Sequence, residues 1–260
     1  MVHYVVFCIC LAASALAGSP MSNNLIDGAV VVKSDPLARF TVALGFAPTN
    51  NPDDGITPFC TGALVGDGLV ITAAHCMQGA RNTHVIFETN ALAFHPQTAP
   101  VIAYEIPAEF KGGYDHAEPV PKDNHDVALV RFAGHAPAGS QPVEPVPPDY
   151  AVETGSWLTI AGYGHWSRTE EPEDKIGILR KAALRVLDAG YSSSEVAIDG
   201  SQGPQNAGGD SGGPALVSID GRYFIFAICN WGRHDKFSIF AKVRPQLQWL
   251  REAAGHLGMR

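Results

Sequence analysis

An all-β fold is predicted by three features of the 260-residue sequence: short strand-like runs at close intervals, Asp-Gly pairs set between them, and a helical pattern found only at the C-terminus. The first run is FTVALG (40–45). ALVGDGLVITAAH (63–75) then reads as two strands around a Gly66-Asp67-Gly68 turn, because an Asp-Gly pair tolerates the positive φ angles of a tight hairpin. THVIFET (83–89), DVALVRF (126–132), SWLTIAGYG (156–164) and AALRVLD (182–188) follow. PALVSID (214–220) and YFIFAICNWG (223–232) meet at a second hairpin signal, Asp220-Gly221. Strands do not alternate with helices, which leaves a sandwich or a barrel. In 243–258, Val243, Leu247, Leu250 and Ala254 recur at helical spacing, Pro245 suits a first turn and Gly255 a stop. This helix is expected to pack on the barrel that precedes it. The Pro- and Gly-rich segment 134–150 reads as a linker between two halves.

Bulk composition narrows the function. At 46% hydrophobic and 17% charged, with 27 Gly and 19 Pro, the chain is globular and rich in turns. A formal net charge of −8 and no cluster of Lys and Arg argue against nucleic acid, whose phosphates require a basic surface. Trp166, Trp231 and Trp249 are not interleaved with basic residues and read as core or cleft.

The N-terminus reads as a leader. From Tyr4 to Ala17 every residue is apolar or small, ending in Ala15-Leu16-Ala17. This run is too short to cross a bilayer, so residues 1–17 are expected to be a signal peptide directing secretion, without a membrane anchor. Its removal takes Cys8 and Cys10 and leaves Cys60, Cys76 and Cys229 in an oxidising compartment. Three such cysteines make at most one internal bridge, and their spacing does not describe a zinc site.

Three short sequences carry candidate chemistry. Thr72-Ala73-Ala74-His75-Cys76 follows an apolar strand, His125-Asp126 opens another, and Gly208-Gly209-Asp210-Ser211-Gly212-Gly213-Pro214 sets a serine among glycines before a third. Singly, each has a bland reading as a strand end, a turn cap or a tight bend. Together they supply what hydroxyl nucleophilia needs: a serine, an imidazole base and a carboxylate to orient that base.

With these motifs the chain resembles the trypsin/chymotrypsin-like serine proteases over residues 26–250, with His75, Asp126 and Ser211 in the family's chain order and 51 and 85 positions apart. The resemblance implies two packed six-stranded antiparallel β-barrels with a C-terminal helix, the first within 26–139 and the second within 140–260. It implies a secreted endopeptidase in which Ser211 attacks the scissile carbonyl, His75 moves the proton and Asp126 holds the imidazole. The N–H groups of Gly209 and Ser211 are then expected to form the oxyanion hole, with no metal or cofactor required. A monomer acting on protein or peptide substrates is expected. It also implies a Cys60–Cys76 disulfide closing about 16 residues, of order ~3 kcal/mol in the chain-entropy treatment.

Departures from the family's pattern shape further expectations. Mature members begin with a short apolar sequence whose new amine pairs with the acid before the nucleophile. Here Ile26 and Asp210 match, after a propeptide of residues 18–25, although Leu25 is not a trypsin-like cleavage point. Gln205 matches the floor of the specificity pocket and, being neutral, cannot balance a buried guanidinium, so basic residues are not expected to be preferred. Asn230, Trp231 and Gly232 match its walls, and Ser238 stands where glycine is usual and is expected to narrow it. Ala207 stands at one position of a bracing disulfide, which leaves Cys229 as a buried free thiol. Asn230 replaces a serine and is expected to donate to Asp126.

Competing readings are a catalytically impaired protease-fold binding or adhesion protein and an esterase or amidase of small molecules. His116, Asp123, His125 and Asp126 suggest a metal cluster, and Glu105, Glu109, Asp115 and Glu118 around Gly112-Gly113 a calcium loop. Neither has a recognisable ligand spacing, so no metal is expected.

Overall fold

The computed structural model describes residues 28–49, 55–112, 122–165, 176–201, 206–233 and 236–258. A two-residue strand β1 (Ala29–Val30) and a turn of 3-10 helix (Pro36–Arg39) precede β2 (Thr41–Phe46), β3 (Thr57–Gly66) and β4 (Leu69–Thr72). A one-turn helix α1 (Ala74–Met77) leads to β5 (Thr83–Ile86), β6 (Thr98–Glu105) and β7 (Ala128–Phe132). After β8 (Glu144–Pro145) come β9 (Trp157–Gly162), β10 (Arg180–Asp188), β11 (Glu195–Asp199), β12 (Pro214–Ile219), β13 (Arg222–Arg233) and β14 (Phe237–Lys242). A 3-10 turn (Arg244–Gln246) runs into α2 (Leu247–His256).

Two closed antiparallel barrels result. The first runs β2-β3-β4-β7-β6-β5 and back to β2; the second runs β9-β10-β11-β14-β13-β12 and back to β9. Both expected hairpins form: Leu64 pairs with Val70 across the Asp67-Gly68 turn, and Ile219 with Arg222 across Asp220-Gly221.

Side-chain alternation decides what each strand covers. Along β7, Ala128, Val130 and Phe132 fill the first barrel, while Leu129 points outward and joins Leu69, Ala253 and Leu257 under α2. Along β12, Ala215 and Val217 fill the second barrel, while Leu216 joins the core continuous with the first. Strands buried on both faces read as unbroken apolar runs, which is why PALV and IFAIC are hydrophobic throughout. Tyr163, at the end of β9, is 1% exposed and shares its hydroxyl proton between the carbonyls of Thr41 and Glu88, tying the barrels together.

Several segments differ from expectation. β1 falls in the stretch assigned to the first half but pairs with β10 of the second barrel. The C-terminal helix packs against β4 and β7 of the first barrel, not on the second barrel that precedes it, because its apolar face meets Leu69 and Leu129. Gly255 does not stop it; the helix continues to His256, and positive φ appears only at Gly258. Among the described residues no helix is long and apolar enough to cross a membrane.

Candidate active site

Sequence builds the imidazole side locally. β4 ends at Thr72, and the chain turns through Ala73 into α1, placing His75 on a single helical turn. Asp126 is fully buried and uses both carboxylate oxygens on this one residue: Oδ1 accepts the His75 main-chain N–H at 2.8 Å, and Oδ2 meets Nδ1 at 2.7 Å. Two contacts fix both the position and the rotation of the ring. Facing a carboxylate, Nδ1 is the natural donor, and in a neutral ring that tautomer leaves the lone pair on Nε2.

The Cys60–Cys76 disulfide is formed, with Cα atoms 6.3 Å apart, and Cys229 is a buried free cysteine, as expected. The Cys76 sulfur lies 3.8 Å from His75 Nε2 and 3.7 Å from the Ser211 carbonyl oxygen. His75 and Ser211 thus sit about one shared sulfur, although they come from different barrels. Cys60, His75 and Cys76 place their donor atoms within 4.8 Å of one another, but two sulfurs bonded together offer no thiolate to a metal.

Ser211 is held by the first barrel as much as by its own. Thr61 on β3 donates its main-chain N–H to the Ser211 carbonyl at 2.9 Å and its hydroxyl to the Gly209 carbonyl at 2.8 Å. The same hydroxyl accepts the Tyr163 N–H at 3.0 Å. Ser211 Oγ donates to the Asn230 carbonyl at 3.4 Å. Glycine is required around it for two reasons. Gly209 has φ +97°, and a β-carbon there would stand 2.7 Å from Ile176 and 2.8 Å from Gly164; at Gly212 (φ +80°) it would stand 2.0 Å from Thr72 Oγ1. The Gly208 carbonyl accepts from the His165 N–H at 2.9 Å, so in a planar trans peptide the Gly209 N–H points the opposite way.

Asp210, 1% exposed, accepts from the main-chain N–H groups of Gly164 at 2.8 Å and Ala207 at 2.9 Å. Burial pushes its pKa up to about 7 against the pull of those two donors. Ile26, its expected partner, lies outside the described residues, as does Gln205.

The pocket side contains a chain the sequence did not reveal. Asn206 donates through Nδ2 to the Cys229 sulfur at 3.1 Å, and its Oδ1 accepts from Ser238 Oγ. Burial pushes the Cys229 thiol up, so it stays protonated. A β-carbon at Gly232 would meet Ser238 Oγ at 2.8 Å, so the serine crowds this wall. Trp231 packs edge-on against Phe237, with centroids 5.7 Å apart. With its amide nitrogen turned toward acceptors, Asn230 donates to the main-chain carbonyl of Asp126 at 3.2 Å, the partner expected, and to that of Ile228 at 3.1 Å. No motif marks Thr61 or Asn206, whose partners are 148 and 32 positions away.

The suggested metal clusters lose members to protein partners. Asp123 accepts from Ser193 and Ser194, Glu105 pairs with His256 at 3.2 Å, and His125 meets Gln246 at 3.4 Å. Asp115, His116 and Glu118 lie outside the described residues.

Known proteins place the chain in a family. The family described as Trypsin matches residues 37–250. Human (Homo sapiens) kallikrein-8 is 26% identical over 214 residues, covering 76% of this chain and 78% of that protein. Hepatocyte growth factor activator serine proteases of Canis lupus familiaris is 28% identical over 221 residues, covering 75% of this chain but only 33% of that protein. A family match from the first barrel into α2, over a double barrel with these motifs at its seam, has one consequence: this chain belongs to the trypsin family.

Proposed function

We propose that this chain is a secreted serine endopeptidase acting through Ser211, His75 and Asp126. The observation that carries this reading is the doubly bound Asp126: one buried carboxylate holds both the main chain and the ring of His75, at 2.8 and 2.7 Å. That arrangement sets the tautomer a general base requires. Ser211 loses its proton to Nε2 as its oxygen bonds to the scissile carbonyl carbon. The carbonyl electron pair moves onto oxygen, facing the N–H groups of Gly209 and Ser211. When the tetrahedral state collapses, the C–N bond breaks, the imidazolium returns the proton to the leaving amine, and water repeats the sequence on the acyl-enzyme. Support for the oxyanion role comes from the fixed Gly208–Gly209 peptide plane.

Activation is part of this proposal. Cleavage before Ile26 supplies an α-ammonium that enters beside Asp210 and balances a charge otherwise costly to bury. Residues 1–17 direct export and 18–25 are removed later. Substrate choice follows from neutral Gln205, which matches the family's pocket-floor position in sequence, and from Ser238 crowding Gly232, which favour a small, polar or modestly apolar residue over Arg or Lys. Cleavage of a protein substrate by the processed enzyme beside Ser211→Ala tests the reading. Loss of cleavage with an unchanged circular dichroism spectrum is the expected result, and equal cleavage removes Ser211 as nucleophile.

A further inference from the structure

The loop that carries Asp126 is strained, and what holds it comes from the other barrel. Asp123 and His125 both have φ 54°, a left-handed conformation that a non-glycine residue adopts only when its surroundings hold it there. Facing this loop is the segment Ser192–Glu195, which opens β11 of the second barrel. The two exchange carboxylates. Asp123 accepts from Ser193 Oγ at 3.0 Å, Ser194 N–H at 2.8 Å and Ser194 Oγ at 2.6 Å. Glu195 accepts from the main-chain N–H of Asp123 at 2.8 Å, that of Asn124 at 3.4 Å, and Ser192 Oγ at 3.3 Å.

Glu195 and Asn124 are each 1% exposed, so these bonds form away from water, where losing an acceptor is costly. Lys242 on β14 completes the group. Its Nζ donates to the Ser192 carbonyl at 2.9 Å and its N–H to the Ser194 carbonyl at 2.8 Å, bringing a cation to two acids. The Ser194 hydroxyl foremost, with its neighbours, holds Asp123 well below the usual carboxylate range, so it remains an acceptor.

We propose that the reciprocal Glu195–Asp123 clamp is a positioning device for catalysis: by pinning the N–H groups of Asp123 and Asn124, Glu195 fixes the strained loop that aims Asp126 at His75. This inference rests on the catalytic reading of His75, Asp126 and Ser211. Glu195 touches neither substrate nor imidazole and acts through Asp126. Loosening the clamp leaves the pocket in place and lets the acid drift from Nδ1. It therefore lowers kcat and spares KM.

The test compares processed wild type with Glu195→Ala, Glu195→Gln and Leu257→Ala. The last removes packing under α2 in a cluster that contains no clamp residue, and serves as a destabilised control. Expected for Glu195→Ala is a kcat reduced by up to ~10²-fold, with KM within about twofold, the range a misplaced catalytic group can produce. The low-field NMR signal of the His75 Nδ1 proton should shift or broaden in this variant, and Glu195→Gln, which keeps one acceptor oxygen, should recover much of both. Leu257→Ala should leave the signal in place. An unchanged kcat and proton signal in Glu195→Ala, or the same change in Leu257→Ala, overturns the clamp. If Glu195→Ala does not fold, Ser192→Ala, which removes a hydroxyl bonded to Glu195, is read by the same criteria. Wild type that neither cleaves protein nor reacts at Ser211 sinks the protease reading, while the proton signal still judges the clamp.

Discussion

The two sides of the candidate centre are braced by different chemistry. On the first barrel, His75 stands beside a covalent crosslink, the Cys60–Cys76 disulfide, and a carboxylate that grips it twice. On the second barrel, the described residues of the corresponding side are joined by weaker contacts: hydrogen bonds from Ser238 through Asn206 to the thiol of Cys229, and the packing of Trp231 on Phe237. A crosslink acts chiefly by limiting the unfolded chain, and the strength of its effect survives local loosening. Weak bonds to a neutral sulfur hold only while the site stays dry. His75 is thus held by covalent and charged groups, whereas the facing side of the second barrel can change residue by residue without disturbing it.

Asp126→Asn breaks the contrast most severely. The amide keeps the volume but presents a donor to Nδ1, favouring the wrong tautomer, and kcat should fall by about 10⁴-fold with the fold retained. Steady-state kinetics beside circular dichroism would check it.

The next effect belongs to the second barrel and its buried acid. Asp210 binds its proton more tightly in the folded chain, at about 7 against an ordinary 3.8. Between those values the folded state holds more protons than the unfolded state, so stability falls as pH rises. Without the ammonium of Ile26 the loss should reach a few kcal/mol, of order ~4 at 1.4 kcal/mol per pH unit. Urea unfolding from pH 4 to 8 should show this slope in the Ser211→Ala precursor and a flatter one after cleavage before Ile26.

Removing both disulfide cysteines, Cys60→Ala with Cys76→Ala, should cost about 3 kcal/mol. Cys229→Ala leaves the Asn206 amide short of one acceptor and should cost about 1 kcal/mol, with activity retained. Denaturant midpoints for the two proteins decide whether the contrast holds, and comparable losses would erase it. Asn206→Ala removes both bonds of the Ser238–Asn206–Cys229 chain, so it should cost about 1–2 kcal/mol and speed the reaction of Cys229 with a disulfide reagent.

What was legible in the sequence depended on how local the signal was. The Asp-Gly hairpins, the apolar runs and the strand before His75 are short-range features, and they form as read. β6, β11 and β14 are not marked by their sequences: TAPVIAYE is half-exposed and carries a proline, while EVAID and FSIFAK are buried but short, and each mixes charged or hydroxyl residues into its apolar run. The helix amphipathicity was plain, but which barrel it covers is decided by Leu69 and Leu129 far upstream. Likewise the catalytic motifs are contiguous, whereas Thr61, Asn206 and Glu195 act through partners brought near only by folding.

A phosphonofluoridate that phosphonylates activated serines tests the central claim most directly. The account predicts one adduct per processed chain, located at Ser211 by peptide mass analysis, with the reaction slowed by orders of magnitude in His75→Ala. Equal labelling of wild type and His75→Ala, or an adduct on any other residue, would contradict it.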